Sequence, residues 1–355
     1  MTPRAVFVLY EHGNDPRPYG PSYIRLLRPL THPSVRNQIT ATWGQRYEDQ
    51  PVEAVIIDRL WRHDLSLVMA QNVVQDIHRA GARFLYALDD DFLSLPVTGA
   101  GYFTAEKRRA VEYWLRTADG VLVTTPFLRE RLNAHTAHCV VVPNALDERL
   151  LIGGSLRPIE TVYGRRRVVI GYMGTLTHEA DWRLILPAWR SLHQQYPNGI
   201  EFQVVGVADQ AQALAERAGV PVRILQLPPD ETEYPQFMLW FTQHAQWDIA
   251  VAPLLDTPFT RCKSDLKFLD YSSLGAATIA SRGPVYEGSV QHGQTGWLAE
   301  NTVESWVQAL ETLVVNDELR ITLARNAAHY VLTERTLMHC AHRWTSALTD
   351  LLERP

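Results

Sequence analysis

The chain has 355 residues, of which 46% are hydrophobic and 21% are charged, and its formal net charge at pH 7 is −5. This composition is typical of a folded protein of two ordinary domains and excludes extensive disorder. The small negative charge gives no reason to expect nucleic acid as a partner. Cys139, Cys262 and Cys340 lie far apart without metal-type spacing, which predicts a reducing compartment and no disulfide framework.

The sequence predicts a protein with neither a signal peptide nor a transmembrane helix. The first apolar run, Arg4–Tyr10, soon meets Glu11, and no apolar run approaches the ~20 residues that cross a bilayer. We expect a cytoplasmic protein, with peripheral association at the inner face of the membrane left open. The basic runs at 107–109 and 165–167 are predicted to be solvated surface, and contact with anionic lipid is the alternative.

Strands and helices alternate along the first half of the chain. The predicted elements are a strand at Ala5–Tyr10, a strand at Ala54–Ile57, a helix at His63–Ala80, a strand at Arg83–Leu88, a helix at Ala105–Ala118, a strand at Gly120–Thr124, a helix at Pro126–Ala134 and a strand at Cys139–Val142. This alternation predicts a parallel sheet covered by helices. The proline-rich segment with Tyr19, Tyr23 and Arg25 is predicted to be a surface loop, and a segment along which an acceptor passes is the alternative.

The alternation stops at 151–164, where glycine, serine and proline without periodicity predict an interdomain linker. It then restarts with strands at Arg167–Tyr172, Phe202–Val205, Val222–Gln226, Trp247–Leu254 and Ala276–Ser281, and with helices at Asp181–Gln195, Gln210–Ala218, Tyr234–His244, Val303–Asn316, Asp317–Val331 and Thr336–Leu352. The pattern predicts an α/β protein with two doubly wound, Rossmann-like domains that face each other across a cleft. They span residues 1–150 and 165–335.

Residues 259–275 are the most informative segment. They lie between two buried strands and include a polar loop and a helix that ends at Gly275, and the candidate ligands among them are Arg261, Lys263, Ser264, Leu266, Lys267 and Asp270. In such βαβ units ligands bind at the carboxyl ends of the strands, and lysines beside a helix N-terminus suit an anion. Asp270 comes one helical turn after Lys267. Cations for phosphates and a carboxylate for sugar hydroxyl groups predict a nucleotide-sugar site.

A second candidate segment runs from Val168 to His178, with a strand, a loop at Gly174 and a helix start at which Thr177 would be the N-cap. Glycine in such a loop lets the backbone approach a ligand closely, although many turns need glycine for conformation alone. His178 either donates to a phosphate or sugar or is a surface or capping histidine.

Asp89, Asp90 and Asp91 follow the strand Arg83–Leu88 directly. Adjacent carboxylates repel one another, so water, a cation or a substrate hydroxyl group must compensate them. A solvated turn with one capping aspartate is one interpretation. In the functional interpretations, Asp89 and Asp91 hold a divalent metal bound to a diphosphate, or one aspartate contacts or deprotonates an acceptor hydroxyl group.

With these residues in view, the chain resembles glycosyltransferases of the GT-B fold, from the family-four group of bacterial polysaccharide-building enzymes. The matching stretches are Ile170–Thr175 with His178 and Asp181, Trp247–Leu254, Lys263–Tyr271 and Gly293–Leu298, and more loosely Leu88–Asp91 and Val142–Asp147.

The resemblance implies transfer of a sugar, with retention, from a nucleotide diphosphate sugar to a glycan or glycolipid hydroxyl in cell-surface polysaccharide or glycoconjugate synthesis. The donor would bind residues 165–335 and the acceptor residues 1–150, while the last helix, 336–355, would pack back on the first domain. Lys263 and Lys267 would bind the diphosphate or sugar, Asp270 the ribose, and Gly174 and Thr175 would border the diphosphate.

Two departures from the family pattern concern the donor. The family usually has glutamate where Asp270 stands, and its first glutamate, which touches the donor sugar, has no clear counterpart near Arg261–Ser264. GT-B enzymes generally need no metal, so we expect neither metal nor cofactor and assign Asp89, Asp90 and Asp91 to the acceptor side. The alternatives are a metal-dependent transferase that uses Asp89 and Asp91, and a non-catalytic subunit that binds a nucleotide or glycan.

Overall fold

A computed structural model describes the residues 2–98, 101–151, 167–174, 178–206 and 208–353, without the side chains of 208–211. The chain forms two compact units. Unit 1 contains Met1–Asp147, Arg261–Ser264 and Leu337–Pro355, and unit 2 contains Glu148–Thr260 and Asp265–Thr336. The predicted linker lies outside the described residues, apart from Leu151.

The described residues form twelve strands and thirteen α-helical segments. The strands are β1 (Arg4–Leu9), β2 (Ile39–Gly44), β3 (Ala54–Asp58), β4 (Arg83–Leu88), β5 (Gly120–Val123), β6 (Cys139–Val141), β7 (Val168–Met173), β8 (Ile200–Val205), β9 (Val222–Leu225), β10 (Ile249–Ala252), β11 (Ala277–Ser281) and β12 (Trp297–Ala299). The helices are α1 (Gly20–Ser22), α2 (Arg28–Leu30), α3 (Leu67–Arg79), α4 (Ala105–Thr117), α5 (Pro126–Leu132), α6 (Glu179–Gln195), α7 (Ala208–Ala218), α8 (Tyr234–His244), α9 (Leu266–Ser273), α10 (Val303–Val315), α11 (Asp317–Glu334), α12 (Leu337–Cys340) and α13 (His342–Leu352).

The sheet of unit 1 is parallel, with strand order β2-β1-β3-β4-β5-β6. Successive side chains of a strand point to opposite faces. Phe7 and Leu9 accordingly join one hydrophobic core, while Val6 and Val8 join a second core that also contains Trp344 of α13. Both faces are therefore covered, which explains why the strands are continuous apolar runs rather than alternating ones.

The sheet of unit 2 is also parallel, with strand order β12-β11-β10-β7-β8-β9. The chain moves outward from β7 through β8 to β9 and then returns to β10 on the other side of β7. Both sheets thus have a point at which the strand order reverses, between β1 and β3 in unit 1 and between β7 and β10 in unit 2. Two helix-covered parallel sheets confirm the predicted α/β class.

Two strands were not predicted, β2 and β12. Only Ile39 in β2 is buried, so this edge strand lacks the apolar run that marked the others. Strand β12 has three residues, too few for a recognisable pattern. The predicted helix 336–352 is two helices, α12 and α13, and both contribute to a core of unit 1.

The prediction of a surface loop around Arg25 was wrong. Tyr23–Leu27 is a π-helix between α1 and α2, and Arg25 is 2% exposed. Its Nη1 donates to the carbonyl of Val142 at 2.6 Å and to Oδ1 of Asn144 at 2.9 Å. A buried guanidinium needs such acceptors, and they come from residues distant in sequence.

The solvated surface predicted for residues 107–109 was also wrong in part. Lys107 is 5% exposed, and its ammonium donates to the carbonyl of Tyr102 at 2.7 Å. Arg108 donates to the carbonyls of Leu93 and Leu95. Only Arg109 of this run is exposed, because the run lies on α4 and a helix turns successive side chains to different sides. Among the described residues no helix is long and apolar enough to span a membrane.

The glycine in the middle of β7 yields a stability prediction. A Cβ on Gly171 would lie 1.8 Å from the nearest ring atom of Trp247, whose side chain is fully buried. We expect Gly171→Ala to lower the free energy of unfolding by about 3 kcal/mol through overpacking. Gly288→Ala is the control, because a Cβ there meets no atom within 4 Å. Urea unfolding of both variants measures the difference, and equal stabilities would contradict the prediction.

Candidate functional site

The carboxyl ends of β7 and β10 meet at the reversal point of the unit 2 sheet, the place where ligands bind in open α/β sheets. The hydroxyl group of Tyr271, on α9, joins the two strands. It accepts from the backbone N–H of Met173 at 3.0 Å and donates to the carbonyl of Val251 at 3.3 Å. Helix α9 is therefore fixed against both strand ends.

Gly174 follows β7 at this edge and is buried. A Cβ there would lie 2.6 Å from the hydroxyl oxygen of Tyr172, and a Cβ on Gly206, whose φ is +90°, would lie 2.4 Å from the Gly174 carbonyl oxygen. Two glycine loops thus pack backbone to backbone beside the strand end. Thr175, predicted beside Gly174, and Thr177, the expected cap, lie outside the described residues.

His178 occupies the N-cap position of α6, and its Nδ1 lies 2.9 Å from Oδ2 of Asp181. Asp181 also accepts from the backbone N–H of Leu255, just after β10, at 2.8 Å. Burial raises the pKa of Asp181, but the hydrogen bonds from His178 and Leu255 and the charges of His178 and Lys267 outweigh it and lower that pKa. Asp181 is therefore an ionised carboxylate that ties α6 to the strand end.

Lys267 and Asp270 both lie on α9, as the sequence predicted. The ammonium nitrogen of Lys267 lies 4.8 Å from the ring centroid of Tyr172, a cation–π contact at the end of β7. Its positive charge acts on Asp181 as well. The side chain of Lys267 is half-buried, so a cation is held at the reversal point of this sheet. Gly275, with φ +67°, ends the helical segment as expected.

Asp270 is 2% exposed, and among the described residues its Oδ1 has no hydrogen-bond partner. Burial and, second, the negative charge of Asp265 raise the pKa of Asp270 to about 8. A buried acceptor without a donor is costly and uncommon in folded proteins. It is suited to receive the hydroxyl groups of a ligand.

The four residues Arg261–Ser264 belong to unit 1. Cys262 is 1% exposed in a core of this unit, and its carbonyl accepts from Oγ1 of Thr125 at 2.9 Å. The Nζ of Lys263 lies 3.0 Å from Oδ1 of Asp90, and Oγ of Ser264 accepts from Nδ2 of Asn144 at 2.8 Å. The exposed Arg261 and the half-buried Leu266, first residue of α9, complete the predicted set.

Asp89 and Asp90 lie at the carboxyl end of β4 and face a buried arginine from the end of β3. The guanidinium of Arg59 contacts Asp89 and Asp90, and its Nε lies 2.5 Å from Oε2 of Glu11, at the end of β1. Arg59 has φ +49°, an uncommon value for a side-chain-bearing residue. Asp89 and Asp90 keep 18% and 19% of their side chains exposed. This carboxylate pair therefore reaches solvent while Arg59 fixes its position.

Asp91 points elsewhere. It is 1% exposed, pairs with Nε of Arg131 at 3.1 Å, and accepts from the hydroxyl group of Ser94. Asp89 and Asp91 thus engage different partners. Among the described ranges no group of three histidine, cysteine, aspartate or glutamate side chains is arranged to hold a metal ion.

Sequence reasoning missed a second buried carboxyl group at the unit 1 reversal point. Asp58 is the last residue of β3, is 1% exposed, and accepts from Oγ of Ser22 at 2.5 Å. Burial raises the pKa of Asp58 to about 7. Asp58 and Arg59 follow the predicted apolar run Ala54–Ile57 directly, as Asp89 follows Arg83–Leu88, so the rule that selected Asp89 would also have found them.

Comparisons with known proteins give a family match over part of the chain and a shared fold over nearly all of it. Residues 167–316, which run from the start of β7 to the end of α10, match the family model "Glycosyl transferases group 1". Comparison with curated protein sequences finds no match.

Similar solved structures span nearly the whole chain. Anabaena Alr3699/HepE in complex with UDP-glucose is 15% identical, with a TM-score of 0.66 and coverage of 98% of this chain and 99% of that one. A glycosyltransferase from Rickettsia africae is 11% identical, with a TM-score of 0.66 and full coverage of both chains (100% each). WaaG, a glycosyltransferase involved in lipopolysaccharide biosynthesis, is 13% identical, with a TM-score of 0.65 and coverage of 99% and 100%. The chain therefore has the GT-B fold of these solved structures, and its residues 167–316 match the family model of glycosyl transferases group 1.

Proposed function

We propose that this enzyme transfers a sugar, with retention, from a nucleotide diphosphate sugar to a hydroxyl group of a glycan or glycolipid in cell-surface polysaccharide or glycoconjugate synthesis. The group 1 match supports this proposal, as do the UDP and UDP-glucose complexes of HepE. The observation that carries it is the buried carboxyl group of Asp270, whose Oδ1 lacks a donor among the described residues. In this role the protein would act in the cytoplasm, and peripheral association with the inner face of the membrane stays an open alternative.

Asp270 is the proposed ribose ligand. A ribose diol offers two hydroxyl donors, and a carboxylate accepts both. Because hydroxyl donors favour the ionised carboxylate, nucleotide binding would strengthen as the pH rises toward the Asp270 pKa of about 8. A carboxyl group in this place distinguishes a ribose from an apolar ligand, because an apolar ligand would leave the buried oxygen without a partner.

Lys267 is the proposed diphosphate ligand of unit 2, next to Leu266. The roles of Arg261, Lys263 and Ser264, which belong to unit 1, stay predictions from the sequence. The chain has only three lysines, and two of them are Lys263 and Lys267. An ammonium group acts as a point charge on phosphate and tolerates several orientations of the diphosphate. Gly174, Thr175 and His178 stay predicted neighbours of the leaving group. This proposal needs no metal, since side-chain cations would neutralise the leaving diphosphate.

Asp89 and Asp90 are the proposed acceptor ligands in unit 1. Their side chains are partly exposed, whereas Asp91 is buried against Arg131. A carboxylate at this edge would accept a hydrogen bond from the acceptor hydroxyl group or take its proton during transfer. Asp91, assigned to the same role from sequence, would instead support the turn that carries the other two.

Lys267→Ala tests the donor site. We expect one of UDP, GDP, dTDP, ADP and CMP to raise the melting temperature of the wild-type protein, because a ligand that binds the native state stabilises it. Lys267→Ala should abolish most of that shift. Differential scanning fluorimetry measures it, with Lys107→Ala as the matched control, since Lys107 contacts Tyr102 in unit 1. If Lys267→Ala leaves the nucleotide-induced shift in melting temperature unchanged, Lys267 is not a diphosphate ligand.

Asp270→Asn tests the charge of the buried carboxyl group. Its pKa lies near 8 when folded and about 4 when unfolded, so the folded state holds the extra proton and wild-type stability falls as the pH rises through this window. We expect the free energy of unfolding of the variant to exceed that of wild type by about 1–3 kcal/mol near pH 8 and to equal it near pH 4. Urea unfolding measures both, with exposed Asp230→Asn as control. The variant should also lose the nucleotide-induced shift.

Chelation separates the proposed mechanism from the metal-dependent alternative. We expect sugar transfer to continue undiminished after exhaustive EDTA treatment, because lysine side chains would stabilise the leaving diphosphate. The measurement is nucleoside diphosphate release with and without chelator, followed by re-addition of Mg²⁺ or Mn²⁺. Activity that EDTA removes and the metal restores would favour the alternative in which Asp89 and Asp91 hold a divalent ion.

A further inference from the structure

A buried ion pair lies at the start of the helix that carries Lys267 and Asp270. Asp265 is the N-cap residue of α9, and Arg335 follows α11. Nη1 of Arg335 donates to Oδ2 of Asp265 at 2.7 Å, and Nη2 donates to Oδ1 at 3.0 Å. Each residue is 8% exposed. The planar guanidinium therefore holds both carboxylate oxygens in a two-pronged contact.

This pair replaces ordinary helix capping. The Asp265 side chain makes no capping hydrogen bond, since Arg335 occupies both of its oxygens. The Asp265 carbonyl still accepts from the N–H of Phe268 at 2.9 Å and of Leu269 at 3.3 Å, so the first turn of α9 begins at the clamped residue. Arg335 also contacts the hydroxyl group of Tyr330 at 3.2 Å. The end of α11 thus sets the position of the first turn of α9.

The pair also controls the charge near Asp270. The negative charge of Asp265 raises the pKa of Asp270 further than burial alone. The elements with most contacts to α9 are α11, β11 and β10, and β7 touches it through Tyr172 and Met173. Strands β10 and β11 carry no titratable side chain, β7 brings Tyr172, and α11 brings Tyr330 and, just beyond its end, Arg335. On α9 itself the other titratable groups are Lys267 and Tyr271.

A role in positioning α9 explains why an ion pair with a large desolvation cost lies at the start of this helix. Removing two charges from water is unfavourable, and a buried ion pair often contributes less stability than apolar residues of similar volume. Burial would lower the pKa of Arg335, but the charge of Asp265 and its hydrogen bond raise that pKa above its ordinary value. Arg335 is therefore permanently charged, and it partly offsets the charge of an aspartate that opposes ionisation of Asp270 one turn further along the helix.

We propose that the Asp265–Arg335 ion pair is a positioning element of the nucleotide site, which fixes the amino terminus of α9 and balances the charge of Asp265 so that Asp270 can receive ribose hydroxyl groups. This inference rests on the proposed donor function of unit 2. Neither Asp265 nor Arg335 touches the nucleotide; both act through Asp270 and Lys267.

The test breaks the same ion pair from each side. Asp265→Asn removes the negative charge that faces Asp270, so the midpoint of the pH dependence of nucleotide binding should move to lower pH. Arg335→Gln leaves Asp265 uncompensated, so the midpoint should move to higher pH. A shift of one pH unit corresponds to about a tenfold change in affinity on the acid side of the midpoint. If the contact were purely structural, both variants would lose nucleotide affinity to the same extent and would keep the same midpoint.

The measurement is isothermal titration between about pH 6 and about pH 9, around the Asp270 pKa of about 8, with the nucleoside diphosphate that stabilises the wild-type protein most. Arg335→Lys keeps the charge and should keep the wild-type midpoint. The matched controls are Asp317→Asn and Arg320→Gln, because Nη2 of Arg320 and Oδ1 of Asp317 form a 2.6 Å ion pair on α11. Neither control should move the midpoint.

Each outcome decides the matter. Opposite shifts of the Asp265→Asn and Arg335→Gln midpoints support the proposal, and shifts in one direction or no shift overturn it. If Arg335→Gln does not fold, Asp265→Asn alone decides, since an unchanged or higher midpoint overturns the proposal. If no nucleotide binds the wild-type protein at any pH, the proposed donor function itself fails.

Discussion

Burial of both faces of each sheet is the constraint on which the rest of this structure depends. Strands such as Ala54–Asp58 and Ile249–Ala252 are fully buried, so polar side chains have no place along their length. They collect at the strand ends, where backbone groups and helix N-termini are also free to interact. In unit 1 this gathers Glu11, Asp58, Arg59 and Asp89. In unit 2 it brings Asp181 and Lys267 to the ends of β7 and β10.

Buried charges have different partners at the strand ends of the two sheets. In unit 1 the guanidinium of Arg59 lies among Glu11, Asp89 and Asp90, and the last two keep a fifth of their side chains exposed. In unit 2 the ammonium group of Lys267 lies against the ring of Tyr172, apart from the carboxyl group of Asp270. Among the described residues, only Asp270 combines burial, a raised pKa and an acceptor oxygen without a donor. Carboxylates that share one guanidinium suit a site for neutral hydroxyl groups. A lysine and a carboxyl group that stand apart suit the diphosphate and the ribose of the proposed nucleotide ligand.

Most elements of the sheet and helix alternation could be predicted because buried parallel strands are apolar runs and helices end at glycine or proline. Strand β2 escaped because it is an edge strand with Trp43 exposed, and the helix around Arg25 because its partners, Val142 and Asn144, are remote in sequence. For the candidate site, adjacency to a strand end selected Asp89, and a position in the first turns of the helix after β10 selected Lys267 and Asp270. These sequence positions could not show that Asp91 turns inward, or that Arg335 would pair with a residue 70 positions away.

The surroundings of Asp270 explain how an aspartate, rather than a glutamate, can stand at this position. A glutamate would extend one methylene further, whereas this carboxyl group is 2% exposed, and burial is the largest cause of its raised pKa. If Asp265 stood unpaired, its charge would oppose ionisation of Asp270 more strongly, and hydroxyl donors would have to overcome both effects. In the proposed site, pairing Asp265 with Arg335 would allow a short, buried carboxylate to bind the ribose where a longer and more exposed one would need no such support. On this argument the ion pair and the shorter side chain form a single arrangement, and a glutamate at position 270 would make the site less dependent on Arg335.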